Sequence, residues 1–120
     1  MDFTGKTVAV TGAGKGIGRE TARLMAARGA AVVAISRSKD DLQALAAEID
    51  CRTIAVDLAD AAAARVAARD AMPADLLVNC AGINVLQPFL EVTDDAFDLI
   101  HAVNTRAAMI VAQEFARHRV

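Results

Sequence analysis

The sequence predicts an α/β fold, an open, doubly wound parallel sheet of about four strands with helices on both faces. Three observations predict it. Short apolar runs alternate with longer stretches of helical period in the order β-α-β-α-β-α-β-α, and such alternation builds a parallel sheet because each right-handed crossover lays a helix on one face. The run "AAVVAIS" (30–36) is apolar at odd and even positions alike, as a strand covered on both sides must be. Four of the chain's seven glycines fall within "TGAGKGIG" (11–18), where a first strand gives way to a helix.

Each element follows from a local signal. "TVAVTG" (7–12) is a strand with a glycine stop. Residues 16–28 place Ile17, Thr21, Leu24 and Met25 at helical spacing, closed by Gly29 as a C-terminal cap. After the strand 30–36, Ser38 and Asp41 form an S-x-x-D cap, and Leu42, Leu45 and Ile49 stripe the helix it opens. "RTIAVDL" (52–58) is a third strand. An alanine-rich helix over roughly 60–71 ends ahead of Pro73, and "DLLVNCAG" (75–82) is a fourth strand. Thr93 caps one last helix that runs nearly to the C-terminus. At about 100° per residue, that helix carries a core-facing stripe of Phe97, Ile100, Asn104, Ala107, Val111 and Phe115, and a second apolar face of Leu99, Val103 and Ile110.

Composition narrows the function classes. The 120 residues suit one domain, and 55% hydrophobic with 23% charged residues suffices for a buried core. A net charge of −2 leaves no electrostatic footprint for nucleic acid or an anionic membrane. The longest apolar runs, "AAVVAI" (30–35) and "AAMIVA" (107–112), are far too short to span a bilayer. "MDFTGK" lacks the apolar stretch of a secretory signal, so a cytoplasmic protein is expected. Cys51 and Cys80 have neither C-x-x-C spacing nor nearby histidines, and read as buried, reduced thiols rather than metal ligands. His101 and His118 have no base-orienting partner and default to structure or surface.

The glycine loop is the chemically informative stretch. A parallel strand, a glycine turn and a helix N-terminus together make an anion site: the helix start presents unpaired N–H groups and a partial positive charge, and glycine lets the backbone approach a pyrophosphate. The spacing excludes a Walker A loop, because Lys15 is followed by glycine and position 9 is alanine. It also fails G-x-G-x-x-G, because Gly12 and Gly14 would need a third glycine where Ile17 stands. It fits T-G-x-x-x-G-x-G through Thr11, Gly12, Gly16 and Gly18, which points to a dinucleotide rather than a purely structural turn.

With "TGAGKGIG", the "VDL" at 56–58, "NCAG" at 79–82 and the Asn104 of "VNTRA", the sequence resembles the short-chain dehydrogenase/reductase family over all 120 residues. The stretches "VTGAGKGIGR" and "DLLVN…LQPFLEVT" look most like its carbonyl reductase/L-xylulose reductase subgroup. The resemblance implies a Rossmann-type sheet in strand order 3-2-1-4, incomplete here. It implies a pyrophosphate held by the loop through Gly12, Gly14, Lys15, Gly16, Ile17 and Gly18. It further implies an adenine amino group read by Asp57 with the backbone of Leu58, and a ribose lying against Asn79, Ala81 and Gly82. Cys80 stands where the family usually has a second asparagine. Asp57 also has a plainer reading, as a helix cap or solvated strand end.

Cofactor choice can be read at the end of the second strand. An enzyme taking NAD places a carboxylate there for the ribose hydroxyls; this chain has Ser36 followed by Arg37, with Lys15 within reach from the glycine loop. Two cations and no acid favour the 2′-phosphate of NADP(H). The family's proton donor is the tyrosine of Tyr-x-x-x-Lys, and the 120 residues contain no tyrosine. Residues 1–120 thus resemble the NADP-binding part of a reductase of carbonyls to alcohols, inactive and poorly stable by themselves, and the resemblance implies Asn104 as one catalytic residue, through a water it holds at a helix kink. An asparagine satisfied by its neighbours is the plainer alternative. A helix apolar on two faces wants two partners, and the resemblance implies that the second is the equivalent helix of another subunit in a dimer or tetramer. The rival to the enzyme is a non-catalytic dinucleotide-binding or sensor module.

Overall fold

The computed structural model describes residues 1–119. Strands β1 (Thr7–Thr11), β2 (Ala31–Ser36), β3 (Cys51–Ala55) and β4 (Leu76–Asn79) form one parallel sheet in the order β3-β2-β1-β4. Thr11 pairs with Ile35 on one side and Asn79 on the other, so the C-terminal ends of the central strands finish side by side. Helices α1 (Gly16–Ala27), α2 (Lys39–Glu48) and α3 (Ala61–Asp70) follow the first three strands. After β4 come a short 3-10 turn (Phe89–Glu91), α4 (Asp94–His101), a π-helical segment (Ala102–Arg106) and α5 (Ala107–Arg117).

The strand pleat sorts the core into two layers. Val8, Val10, Val32 and Ala34 face Ala22 of α1 and Leu42 and Leu45 of α2. The intervening Ala9, Val33 and Ile35 face the opposite side, with Ala71, Met72, Ala74 and Phe115. Leu42 and Leu45 are fully buried, each contributing about 1.5–3 kcal/mol relative to exposure. The expected caps are present: Ser38 Oγ accepts from the Asp41 N–H at 3.2 Å and Thr93 Oγ1 from the Ala96 N–H at 3.1 Å. Asp60, rather than Asp57, caps α3.

Three expectations are corrected. First, strands three and four are shorter than 52–58 and 75–82. The Val56 N–H makes a last bond to the Ser36 carbonyl, where β2 itself ends; beyond it no neighbouring strand offers partners, and 56–58 and 80–82 peel away as loops. Second, the last helix is not one continuous α-helix. The wider-wound segment Ala102–Arg106 turns α5 relative to α4, so a single helical wheel cannot serve both. The buried face of α5 is Ala107, Ile110, Val111 and Glu114, with Ile110 packed against Leu58 and Ala64. Ile110 therefore belongs to the core and not to the second face, while Phe97 is exposed. Third, Cys51 and Cys80 are half-buried rather than buried, although both are free; burial and the nearby Asp50 push the Cys51 thiol up.

α3 and α5 are joined by an ionic cluster. Glu114, 2% exposed, accepts from Arg65 Nη1 at 2.9 Å, lies 3.4 Å from Arg69 Nε and pairs with Arg117. Burial alone would raise its pKa; the Arg65 hydrogen bond and the Arg117 and Arg69 charges outweigh that and hold the carboxyl below the usual glutamate range.

Candidate functional site

At the C-terminal edge of the sheet, the loops after β1, β2, β3 and β4 surround a cleft of about 400 Å³. The crevice beyond the carboxyl ends of parallel strands is where open α/β sheets bind ligands. Of the residues singled out from the sequence, Gly12, Lys15, Gly16, Ile17, Gly18, Ser36, Arg37, Asp57, Leu58, Ala81 and Gly82 border it. Gly14, Asn79 and Asn104 do not.

The glycines are required by close approach. A Cβ on Gly18 would lie 2.1 Å from the Gly12 carbonyl oxygen, and one on Gly12 would lie 2.8 Å from the Ala81 backbone. Gly16 has open space but a φ of +54°, the left-handed region. Gly14 stands behind the wall, where a Cβ would meet Ser36 Oγ at 2.5 Å. The loop is pinned to β2 by the Ala13 N–H bonding the Ile35 carbonyl at 3.1 Å. α1 starts without a side-chain cap and without an acid in its first turn. Its first intrahelical bond runs from the Arg19 N–H to the Lys15 carbonyl, so the N–H groups of Gly16, Ile17 and Gly18 precede the ladder, as an anion site requires. This cradle of close backbone and free donors fits a dinucleotide pyrophosphate.

Lys15 and Arg37 border the cleft with Ser36 and Ser38. Asp41, a helix-cap partner in the sequence pattern, borders it as well, its Oδ2 3.7 Å from Lys15 Nζ. At another part of the wall, Asp57 Oδ1 accepts from the Ala59 N–H at 3.0 Å, which fixes the carboxylate in a tight turn. Val56, Cys80, Ile83 and Val103 complete the lining, and the sequence does not mark any of them as a cofactor-binding residue; they are apolar or weakly polar residues whose place depends on where the strands end.

Asn79 and Asn104 act behind the wall. Thr11 Oγ1 donates to Asn79 Oδ1 at 3.5 Å and accepts from the Ala81 N–H at 3.1 Å, tying the ends of β1 and β4 together. Asn79 Nδ2 also donates to the Ala108 carbonyl at 3.4 Å. Asn104, in the π segment, pairs with the Ile83 backbone twice, Nδ2 donating to its carbonyl at 2.9 Å and Oδ1 accepting from its N–H at 2.8 Å. Its amide is thus spent on a neighbouring loop. His101 stacks on Phe97 and His118 bonds the Glu114 carbonyl; neither borders the cleft. No helix among the described residues is long and apolar enough to cross a membrane.

The pattern of the short chain dehydrogenase family matches residues 6–120. The chain is 49% identical over 118 residues to L-xylulose reductase of Mesocricetus auratus, covering 98% of this chain and 48% of that one. It is 42% identical over 121 residues to carbonyl reductase [NADPH] 2 of Sus scrofa, covering all of this chain and 50% of that one. Among solved structures, a short chain dehydrogenase from Burkholderia cenocepacia in complex with NADP superposes with a TM-score of 0.93 at 34% identity, over 98% of this chain and 52% of that one. The chain spans about half the length of the curated relatives it matches. With the family pattern, the strand order and the glycine cradle all in place, the chain belongs to the short-chain dehydrogenase/reductase family of oxidoreductases, and its likeness is to the L-xylulose and carbonyl reductases within it.

Proposed function

We propose that residues 1–120 form the NADP(H)-binding part of a reductase that interconverts a small carbonyl compound and its alcohol. The observation that carries this reading is that Lys15 and Arg37 both border the cleft while Ser36 takes the place of a ribose-binding acid. Arg37 offers a planar pair of donors to a 2′-phosphate and Lys15 a mobile point charge. Asp41 tempers them, leaving the three side chains with a formal charge of +1 (two cations less one carboxylate).

Each remaining part of the wall has a task. The uncapped start of α1 holds the pyrophosphate, Asp57 and the Leu58 backbone take the adenine edge, and Ala81 and Gly82 lie along the ribose. Bound NADPH supplies the hydride. Asn104 holds the exit of β4 in place, and through its own backbone at the π turn it can hold a water for proton delivery. The tyrosine that donates the proton in the family has no counterpart in residues 1–120, which contain no tyrosine. Leu99 and Met109 remain exposed on α4 and α5, in keeping with a homo-oligomer that assembles through this helix.

The test is consumption of NADPH and NADH by the complete protein with a panel of dicarbonyls and ketoses. Turnover with NADPH well above that with NADH is expected. Tight NADPH binding without turnover of any carbonyl would assign the protein instead to non-catalytic dinucleotide sensing.

A further inference from the structure

The adenine-side turn of the cleft is held from an unexpected place. Asp57, Leu58, Ala59 and Asp60 form a tight turn, in which the Ala59 N–H donates to Asp57 Oδ1 at 3.0 Å and the Asp60 N–H to the Asp57 carbonyl at 3.1 Å. Both bonds are local and would survive a rigid swing of the whole turn. Leu58 anchors one side by packing with Ala64, Ala107 and Ile110, but an apolar contact does not set the rotation of a peptide plane. Asp60 anchors the other side to α3, accepting from the Ala63 and Ala64 N–H groups, and the Ala59 carbonyl between these anchors is held by Arg106, 47 residues away in sequence, whose Nη2 donates to it at 2.7 Å. The Ala59–Asp60 peptide is therefore gripped at both ends, its N–H by Asp57 and its carbonyl by Arg106. Arg106 belongs to the same five-residue π segment as Asn104, which grips the Ile83 backbone across the cleft wall. One irregular turn of helix braces two of the loops that line the cleft.

We infer that Arg106 is a positioning residue for adenine recognition: by holding the Ala59 carbonyl it fixes the direction in which the Asp57 carboxylate faces the cleft. The inference rests on the reading of the cleft as an NADP(H) site with Asp57 on the adenine amino group. Arg106 does not border the cleft itself, so its effect on the cofactor is transmitted through the turn.

The experiment uses the complete protein, NADPH, and its hypoxanthine analogue, in which a keto oxygen replaces the adenine amino group. The unmodified protein is expected to bind NADPH about tenfold more tightly than the analogue, the worth of one hydrogen bond to a charged group. In Arg106→Ala that ratio is expected to fall to within about twofold, and Arg106→Lys, which keeps a charged donor, to recover part of it. Arg106→Met, with a long stem and no donor, provides the same comparison should the alanine variant fail to fold. A merely structural role lowers both affinities together and leaves their ratio intact; a donor-less variant that folds and keeps the tenfold ratio overturns the inference. Equal binding of the two nucleotides by the unmodified protein also overturns it, whereas failure to bind either one defeats the underlying cofactor reading.

Discussion

α1 and α2 both begin beside the cleft, and they begin in opposite ways. α2 satisfies itself: Ser38 accepts from the Asp41 N–H, and Asp40 and Asp41 place negative charge in its first turn. α3 and α4 are likewise capped by the side chains of Asp60 and Thr93. α1 alone follows a strand with no side-chain cap and no acid in its first turn. A helix start left open at the edge of a cleft forgoes about 1 kcal/mol of capping, and the glycines around it leave room for something else to provide the negative charge. The interior offers the complementary case, since Glu114 is an anion the chain supplies itself and surrounds with Arg65, Arg69 and Arg117. An anion site completed from within contributes to the fold, and one left incomplete is available to a ligand.

The largest effect is expected where that open start is closed by bulk. Gly18→Ala puts a Cβ 2.1 Å from the Gly12 carbonyl oxygen, a backbone atom that cannot step aside. The loop must move, at a cost of about 1–3 kcal/mol, and calorimetry is expected to register no NADPH binding. Gly16→Ala meets nothing within 4 Å and suffers only from its φ of +54°. It should lose about 1–2 kcal/mol of stability and retain weakened binding. Equal behaviour of the two variants would contradict the close-approach account.

Smaller effects separate the self-capped helices from the open one. Ser38→Ala and Thr93→Ala should each lower stability by about 1 kcal/mol in chemical denaturation, whereas Lys15→Ala, at an N-cap position that makes no cap, should leave it nearly unchanged. Glu114 tests the completed site through pH. Because its carboxyl is held below the usual value, its ionised form favours the folded state. That contribution is full above about pH 4.3 and is lost as the pH falls through the depressed folded value. Glu114→Gln should be less stable at neutral pH and show a shallower decline in acid, measured as the denaturation midpoint against pH.

The same contrast explains what could be read from the sequence. Strand order, the glycine loop, the Ser38 and Thr93 caps and eleven of the cleft residues follow from rules that act over a few residues or from the resemblance built on them. The place of Ile110 in the core is not legible in the sequence because nothing in "HAVNTRAAM" announces a π turn, and one extra residue per turn rotates everything after it. Asp41 was visible only as a cap partner, because its approach to Lys15 depends on how α2 is set against the glycine loop. Arg106 was invisible, since its partner is a backbone carbonyl on another loop. Local chemistry is written in the sequence; contacts made by a helix that changes its winding are not.

The central claim is that the open start of α1, flanked by Lys15 and Arg37, selects the 2′-phosphate of NADP(H). It is tested most directly by calorimetric titration of the complete protein and its Arg37→Ala variant with NADPH and NADH. The substitution is expected to weaken NADPH about tenfold or more and leave NADH nearly unchanged. Equal losses for both cofactors, or tighter binding of NADH than NADPH before any substitution, would contradict it.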